Sequence, residues 1–241
     1  YEQHAENLDG YVPHVGSSRQ YMRDIILGVN DGLVSTLLLV AGVVGGGLDA
    51  NGVLLTGIAG ALAGMVSMAI GEYLATKSQE EVFDAELALE REHIKDFREH
   101  ERNQLRAMLA DRGLGGDDLD TVVDIMDKDE ETMLNMHAAL EFGIVDEERR
   151  SPYAAAAMSG LLFLGGALPS VVPFAIWDDT GTGLLVAAIL TGVALFAVGV
   201  VKTVQTRTNP IWSGTENLGL GFIGGFVAFW VGRAFEALIA A

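Results

Sequence analysis

The sequence predicts an all-α membrane protein: five transmembrane helices, with a cytoplasmic three-helix insert between spans two and three. Three observations carry that expectation. The 241 residues are 50% hydrophobic, yet 20% are charged. The mean hydropathy of +0.32 is too high for an ordinary soluble domain, so the two kinds of residue must be segregated along the chain. They are: residues 77–150 hold 22 of the 33 acidic and 10 of the 15 basic side chains. Elsewhere the chain is mostly long uncharged runs, five of which reach the roughly 20 residues needed to cross a bilayer.

The expected organisation is a cytoplasmic N-terminal segment (1–24), spans one and two (25–76), the insert (77–150) and spans three to five (151–241). The start of the chain is polar and lacks the apolar core of a signal peptide, so span one is expected to direct insertion. The spans themselves fall at residues 25–48, 52–76, 152–177, 181–201 and 218–240. Span one, IILGVNDGLVSTLLLVAGVVGGGL, contains one carboxylate, Asp31. An ionisable side chain in such a segment is costly, which marks it as a functional candidate. Pro169 and Pro173 should kink span three and free backbone carbonyls. Arg233 and Glu236 interrupt the end of span five as an interfacial pair. Glycines crowd spans one, two and five, and small residues let helices approach closely in lipid. That predicts tight helix contacts and a homodimer built around span one, with Gly45, Gly46 and Gly47 at the seam.

Residues 72–112 contain no Gly or Pro, so span two is expected to continue into the insert as one helix. Gly113, Gly115 and Gly116 end it. Asp117 or Asp118 then caps a short helix to about residue 127, and a third runs over 129–142 to Gly143. Arg19, Arg23, Lys77, Arg149, Arg150, Lys202 and Arg207 all flank spans on one side, and the loops opposite carry no basic residue. By the positive-inside rule the N-terminus and the insert are cytoplasmic, with Arg233 the exception.

The net charge of −18 disfavours nucleic acid and anionic lipid and favours cations. The excess of acid, with 11 Arg to 4 Lys, also fits a high-salt cytoplasm. With no Cys, a metal site must use carboxylate, imidazole or thioether. On the first insert helix Glu86, Glu90, His93 and Glu101 define a face, with His100 on the same side; on the third, Met133, His137 and Glu141 recur every four residues. Two antiparallel helices could join these faces into a set suited to Fe²⁺, Mn²⁺, Co²⁺ or Zn²⁺ rather than Ca²⁺. A solvated acidic helix with incidental histidines would show the same spacing. Glu90-Arg91-Glu92-His93 also matches the Glu-x-x-His element of di-iron proteins, but the chain has no second copy. In the membrane, Asp31 lies about 12 Å of helix beyond Arg23 and Met68 about 13 Å before Lys77, hence at similar depth. Met65 and Glu72 flank Met68, and Asn30 adds an oxygen beside Asp31.

Four stretches carry a resemblance: DGLVSTLLLVAGVVGG, MVSMAIGEYLATKSQEE, GGALPSVVPF and the K-x₉-W-S-G-x-E run from Lys202 to Glu216. From about residue 20 onward the chain resembles the vacuolar iron transporter family. The resemblance implies five spans, a homodimer, a cytoplasmic helical metal-binding domain between spans two and three, and export of cytosolic Fe²⁺ or Mn²⁺, with proton exchange in some members. By position it implies Asp31 and Met68 as membrane ligands, and Glu90, His93, Glu101, His137 and Glu141 as ligands of the insert. Plant members carry Glu at His93 and Met at His137, and some members carry a glutamate at Gly60. Glu72 belongs to a GEY motif similar to that of prokaryotic relatives, which implies a prokaryotic cell membrane. The expectation is therefore a non-enzymatic carrier without a prosthetic group, whose partners are divalent ions, protons, the bilayer and a second copy. The rival reading is a membrane-anchored metal-buffering or ferroxidase protein.

Overall fold

A computed structural model describes residues 18–143 and 150–240; Arg149 and the polar segment before residue 18 lie outside the described residues. Among the described residues, eight α-helices follow in order: α1 Ser18–Gly45, α2 Ala50–Asp96, α3 Arg98–Asp111, α4 Gly116–Met126, α5 Glu130–His137, α6 Pro152–Val171, α7 Thr180–Thr206 and α8 Pro210–Ile239. There is no strand among the described residues. Among the described residues, five helical segments are long and apolar enough to cross a membrane: Met22–Gly45, Ala50–Asp96, Pro152–Ala175, Thr180–Val204 and Pro210–Ile239. Leu55, Ile58, Leu62, Val66, Ile70 and Leu74 lie exposed along α2. Such a stripe is a liability in water and an ordinary lipid-facing surface in a bilayer. The protein is an integral, multi-pass membrane protein.

The chain divides into two compact units, Tyr1–Glu72 with Tyr153–Ala241, and Tyr73–Pro152. In the first, α1 packs against α7 and α8, which also pack on each other. Helices in lipid gain nothing from the hydrophobic effect by associating, so close packing and buried hydrogen bonds must hold them. Both are present. At the α1–α6 crossing, a Cβ on Gly32 would stand 2.1 Å from the Phe163 carbonyl oxygen; at the α1–α8 crossing, one on Gly232 would stand 1.9 Å from that of Gly42. Asn217 of α8 donates to the Asn30 side chain (2.9 Å) and to the Leu195 carbonyl of α7 (2.8 Å). The hydroxyls of Ser170 and Thr191 join α6 to α7 at 2.9 Å.

Two expectations for the membrane unit are corrected. Gly45 abuts the Phe229 carbonyl, 2.1 Å from where its Cβ would lie, so its close approach is used by α8 of the same chain and is not free for a second copy. The fifth span starts at Pro210, eight residues before the predicted start, because Asn209 caps the helix by accepting from Ile211 and Trp212. Pro169 sits inside α6; the helix ends only at Val171, in a 3₁₀ turn over Val172–Ala175 that contains Pro173. Asp179 caps α7 through Thr182 and Asp49 accepts from Gly52 at the start of α2, so each of these loops uses an acid at a helix end.

In the second unit the helix expected over residues 72–112 is two helices, α2 and α3, broken at Phe97, so the insert has four helical segments and not three. Neither Asp117 nor Asp118 is a cap: α4 starts at Gly116 and both lie in its first turn, where acids favour the helix dipole. Asp129 does cap α5, accepting from the Thr132 backbone and hydroxyl, and both bonds hold its carboxyl below the usual range.

Gly32→Ala should destabilise the membrane unit by about 1–3 kcal/mol, because the added methyl overlaps backbone that cannot rotate away. Thermal unfolding in detergent checks this. Gly71→Ala is the control, since a Cβ there meets nothing within 4 Å.

Candidate metal centre

The centre is built by the break at Phe97. Its φ of −128° and ψ of 36° leave the helical region. Yet Phe97 still donates to the His93 carbonyl (2.7 Å) and accepts from His100 (2.8 Å), so the bend sacrifices little hydrogen bonding. On one straight helix Glu90 and Glu101 would lie about 16 Å apart along the axis. Here one carboxylate oxygen of each and a ring nitrogen of His137 all lie within 4.8 Å of one another.

Glu90, Glu101 and His137 are all buried, His137 completely. His137 Nδ1 stands 3.0 Å from Glu90 Oε1, 3.6 Å from Glu141 Oε2 and 3.9 Å from Glu101 Oε2. On the other side, His93 Nδ1 stands 3.8 Å from Glu90 Oε2 and 3.9 Å from Glu101 Oε1. Each of the two carboxylates therefore turns one oxygen towards each imidazole. Glu90 Oε1, Glu101 Oε2 and both ring nitrogens of His137 are buried without a hydrogen bond among the described residues. Buried polar atoms are normally paired. Carboxylate oxygens and an imidazole nitrogen that converge on one point without a hydrogen bond are suited to a cation. Burial pushes the Glu90 carboxyl above its ordinary 4.5; His137 opposes the shift, Glu101 and Glu141 add to it, and His93 opposes it more weakly.

A cavity of about 590 Å³ opens beside these groups, lined in part by Glu86, His93, His100, Gln104 and Glu141. Glu86 and His100 share that wall but stand outside the three-residue cluster. Met133 is elsewhere: it is fully buried in an apolar cluster with Ile94 and Leu134. Phe97 meets the His93 ring edge-to-face at 6.3 Å. Three of the insert's arginines hold the scaffold. Arg98 pairs with Asp127 at 2.9 Å, Arg102 with Asp124 and Asp127, and Arg106 with Asp120, which zips α3 to α4 over a core of Leu105, Leu109, Leu119 and Val123. Glu101 sits on the helix so fixed.

In the membrane unit, Asp31, Met68 and Glu72 line one cleft of about 480 Å³, together with Ser35, Ser67 and Phe163. Asn30 does not: its side-chain oxygen accepts from Asn217 and faces α8. Met65 likewise lies towards α6, where its carbonyl is 3.0 Å from the position of a Gly160 Cβ. Sequence reasoning missed Ser35 and Ser67, although Ser35 stands one turn after Asp31 and Ser67 beside Met68. It also missed Phe163, which no local pattern indicates.

The family model described as the VIT family matches residues 22–233 of this chain. The chain belongs to the VIT family. Similar relatives include Vacuolar iron transporter 1 of Arabidopsis thaliana, 29% identical over 230 residues, 95% of this chain and 92% of that protein. Vacuolar iron transporter 2 of Oryza sativa subsp. japonica is 28% identical over 231 residues, 96% of this chain and 94% of that protein. Protein CCC1 of Saccharomyces cerevisiae is 30% identical over 211 residues, 85% of this chain and 65% of that protein. The matched segment of this VIT-family chain contains both the buried carboxylate–imidazole cluster and the Asp31 cleft.

The raised Glu90 carboxyl has a consequence for stability. Between its ordinary value and its raised one, the folded protein binds more protons than the unfolded chain, so stability falls as pH rises through that window. With a chelator present, the thermal midpoint of the insert's far-ultraviolet signal should decline above about pH 4.5, and Glu90→Gln should flatten the decline. An equal slope in both proteins would mean that Glu90 is not desolvated.

Proposed function

We propose that this protein is a carrier that exports Fe²⁺ and/or Mn²⁺ from the cytoplasm, and that its donor set also suits Co²⁺ and Zn²⁺. The observation that carries this reading is the intramembrane cleft, where a carboxylate in an apolar span shares a wall with a thioether and a second carboxylate. Intramembrane acids are costly and mark ion pathways. Asp31 and Met68 would hand the ion through the bilayer, with Glu72 beside them. Glu90, Glu101 and His137 would collect it in the insert, with His93 and Glu141 completing the shell and Glu86 and His100 at the cavity wall.

The names of the plant relatives support iron as cargo and transport, not catalysis, as the activity. Proton antiport fits the chemistry, because a carboxylate that binds metal must first release its proton. Gly60 also lines the cleft, so a scheme that uses a glutamate at that position does not transfer to this chain. The basic residues around the spans favour a cytoplasmic insert, and the GEY motif at Glu72 favours a prokaryotic cell membrane. A homodimer would double the few ligands that one cleft offers a divalent ion.

Asp31→Asn should abolish Fe²⁺ flux into proteoliposomes while helix content stays unchanged, since the amide keeps the shape and removes the charge. Undiminished flux would remove Asp31 from the pathway. Oxygen consumption with Fe²⁺ but no flux would instead favour the membrane-anchored buffering or ferroxidase reading. His93→Ala with His137→Ala should raise the metal dissociation constant more than about tenfold, because even outer-shell partners of metal sites are worth that much. The parent's affinity should fall below neutral pH, where protons compete for imidazole. Calorimetry on the full chain at several pH values reads both effects.

A further inference from the structure

We infer that Arg112 is a positioning residue of the metal centre: its guanidinium latches the π-helical turn that carries Glu141 and holds that carboxylate where it can serve as a fourth donor. The inference rests on the metal-site reading above.

After α5 the chain makes one π-helical turn, Ala138–Phe142, and Gly143, at φ 68°, donates back to the Ala138 carbonyl. Such wide turns are rare and concentrate at functional sites. Two demands meet in this one. Leu140, with Met136, packs against the α3–α4 core of Leu105, Leu109, Leu119 and Val123. Glu141 turns the other way and brings Oε2 to 3.6 Å from His137 Nδ1. The register of the turn therefore decides whether Glu141 faces the centre.

The last carbonyls of a helix lack intrahelical donors. Arg112 supplies two at once: Nη2 donates to the Leu140 carbonyl and Nη1 to the Met108 carbonyl in the last turn of α3, each at 2.9 Å. One cation thus closes the C-terminal ends of two helices, where the backbone dipoles favour positive charge. Its planar fork also fixes the spacing between those ends. A lysine ammonium, a point charge on a flexible stem, cannot hold both carbonyls in one geometry. Arg112 makes no hydrogen bond or ion pair with Glu90, Glu101 or His137, so it acts through Glu141.

The test uses the full chain in detergent with Co²⁺, whose visible absorption reports the number and type of its ligands. Arg112→Met is expected to weaken Co²⁺ binding roughly tenfold to a hundredfold, the usual effect of removing a partner that orients a ligand. It should shift the spectrum in the same direction as Glu141→Gln. The double variant should be no weaker than the poorer single one, as for two residues in one chain of action. Arg112→Lys, which keeps the charge and guards against misfolding, should show the same spectral shift with unchanged helix content. Parental spectra in both Arg112 variants while Glu141→Gln alters its own, or additive losses in the double variant, would overturn the latch. A parent with no saturable Co²⁺ spectrum that depends on Glu90 would overturn the metal-centre reading, and the latch with it.

Discussion

The insert is organised around the burial of two carboxylates against each other. Glu90 and Glu101 meet in a buried site, where burial and the neighbouring Glu101 both push the Glu90 carboxyl up, an arrangement that favours a cation between them. His137, fully buried at their meeting point, supplies imidazole nitrogen and no hydrogen bond. The surrounding structure enforces this approach. The bend at Phe97 brings together the two acids that stand on either side of it, the Arg–Asp ladder fixes α3 on α4, and Leu140 anchors the turn that follows His137. Exposed ion pairs are individually weak. As a ladder between two helices they set register, and register is what the cluster needs.

The membrane unit meets a different constraint. Its helices have no hydrophobic reason to associate, so they touch where glycine removes side chains, at Gly32 and Gly232, and where Asn217 and Ser170 form hydrogen bonds between helices. These contacts tie α1 to α6, α7 and α8. The remaining side of α1, with Asp31 and Ser35, faces the cleft that Met68 and Glu72 of α2 also line. Adjacent residues on a helix point about 100° apart. That is why Asn30 serves packing while Asp31 serves the cleft.

Much of this was legible in the chain. Long uncharged runs mark the spans because a bilayer demands about 20 apolar residues, a local requirement that composition alone can meet. Hydropathy alone starts the fifth span too late, since Trp212, Glu216 and Asn217 lower it; the Asn209-Pro210 cap and first-turn pair mark its start. Depth reckoned from flanking basic residues set Asp31 level with Met68, and both line one cleft. Helical spacing grouped Glu90, His93, Glu101, His137 and Glu141, yet it also grouped Met133, which the fold commits to an apolar core.

By itself, then, the sequence determined the all-helical class, the five spans and the residue types from which a metal centre could be drawn, because these follow from local composition and periodicity. The tertiary structure decided the break at Phe97, the π turn before Gly143 and the choice of Glu90, Glu101 and His137 from many acids and histidines. Without Gly or Pro, a helical segment bends only when packing elsewhere outweighs its own preference, which amounts to less than about 1 kcal/mol per residue. The Arg–Asp ladder and the apolar core between α3 and α4 supply that energy, and no local window of sequence contains them.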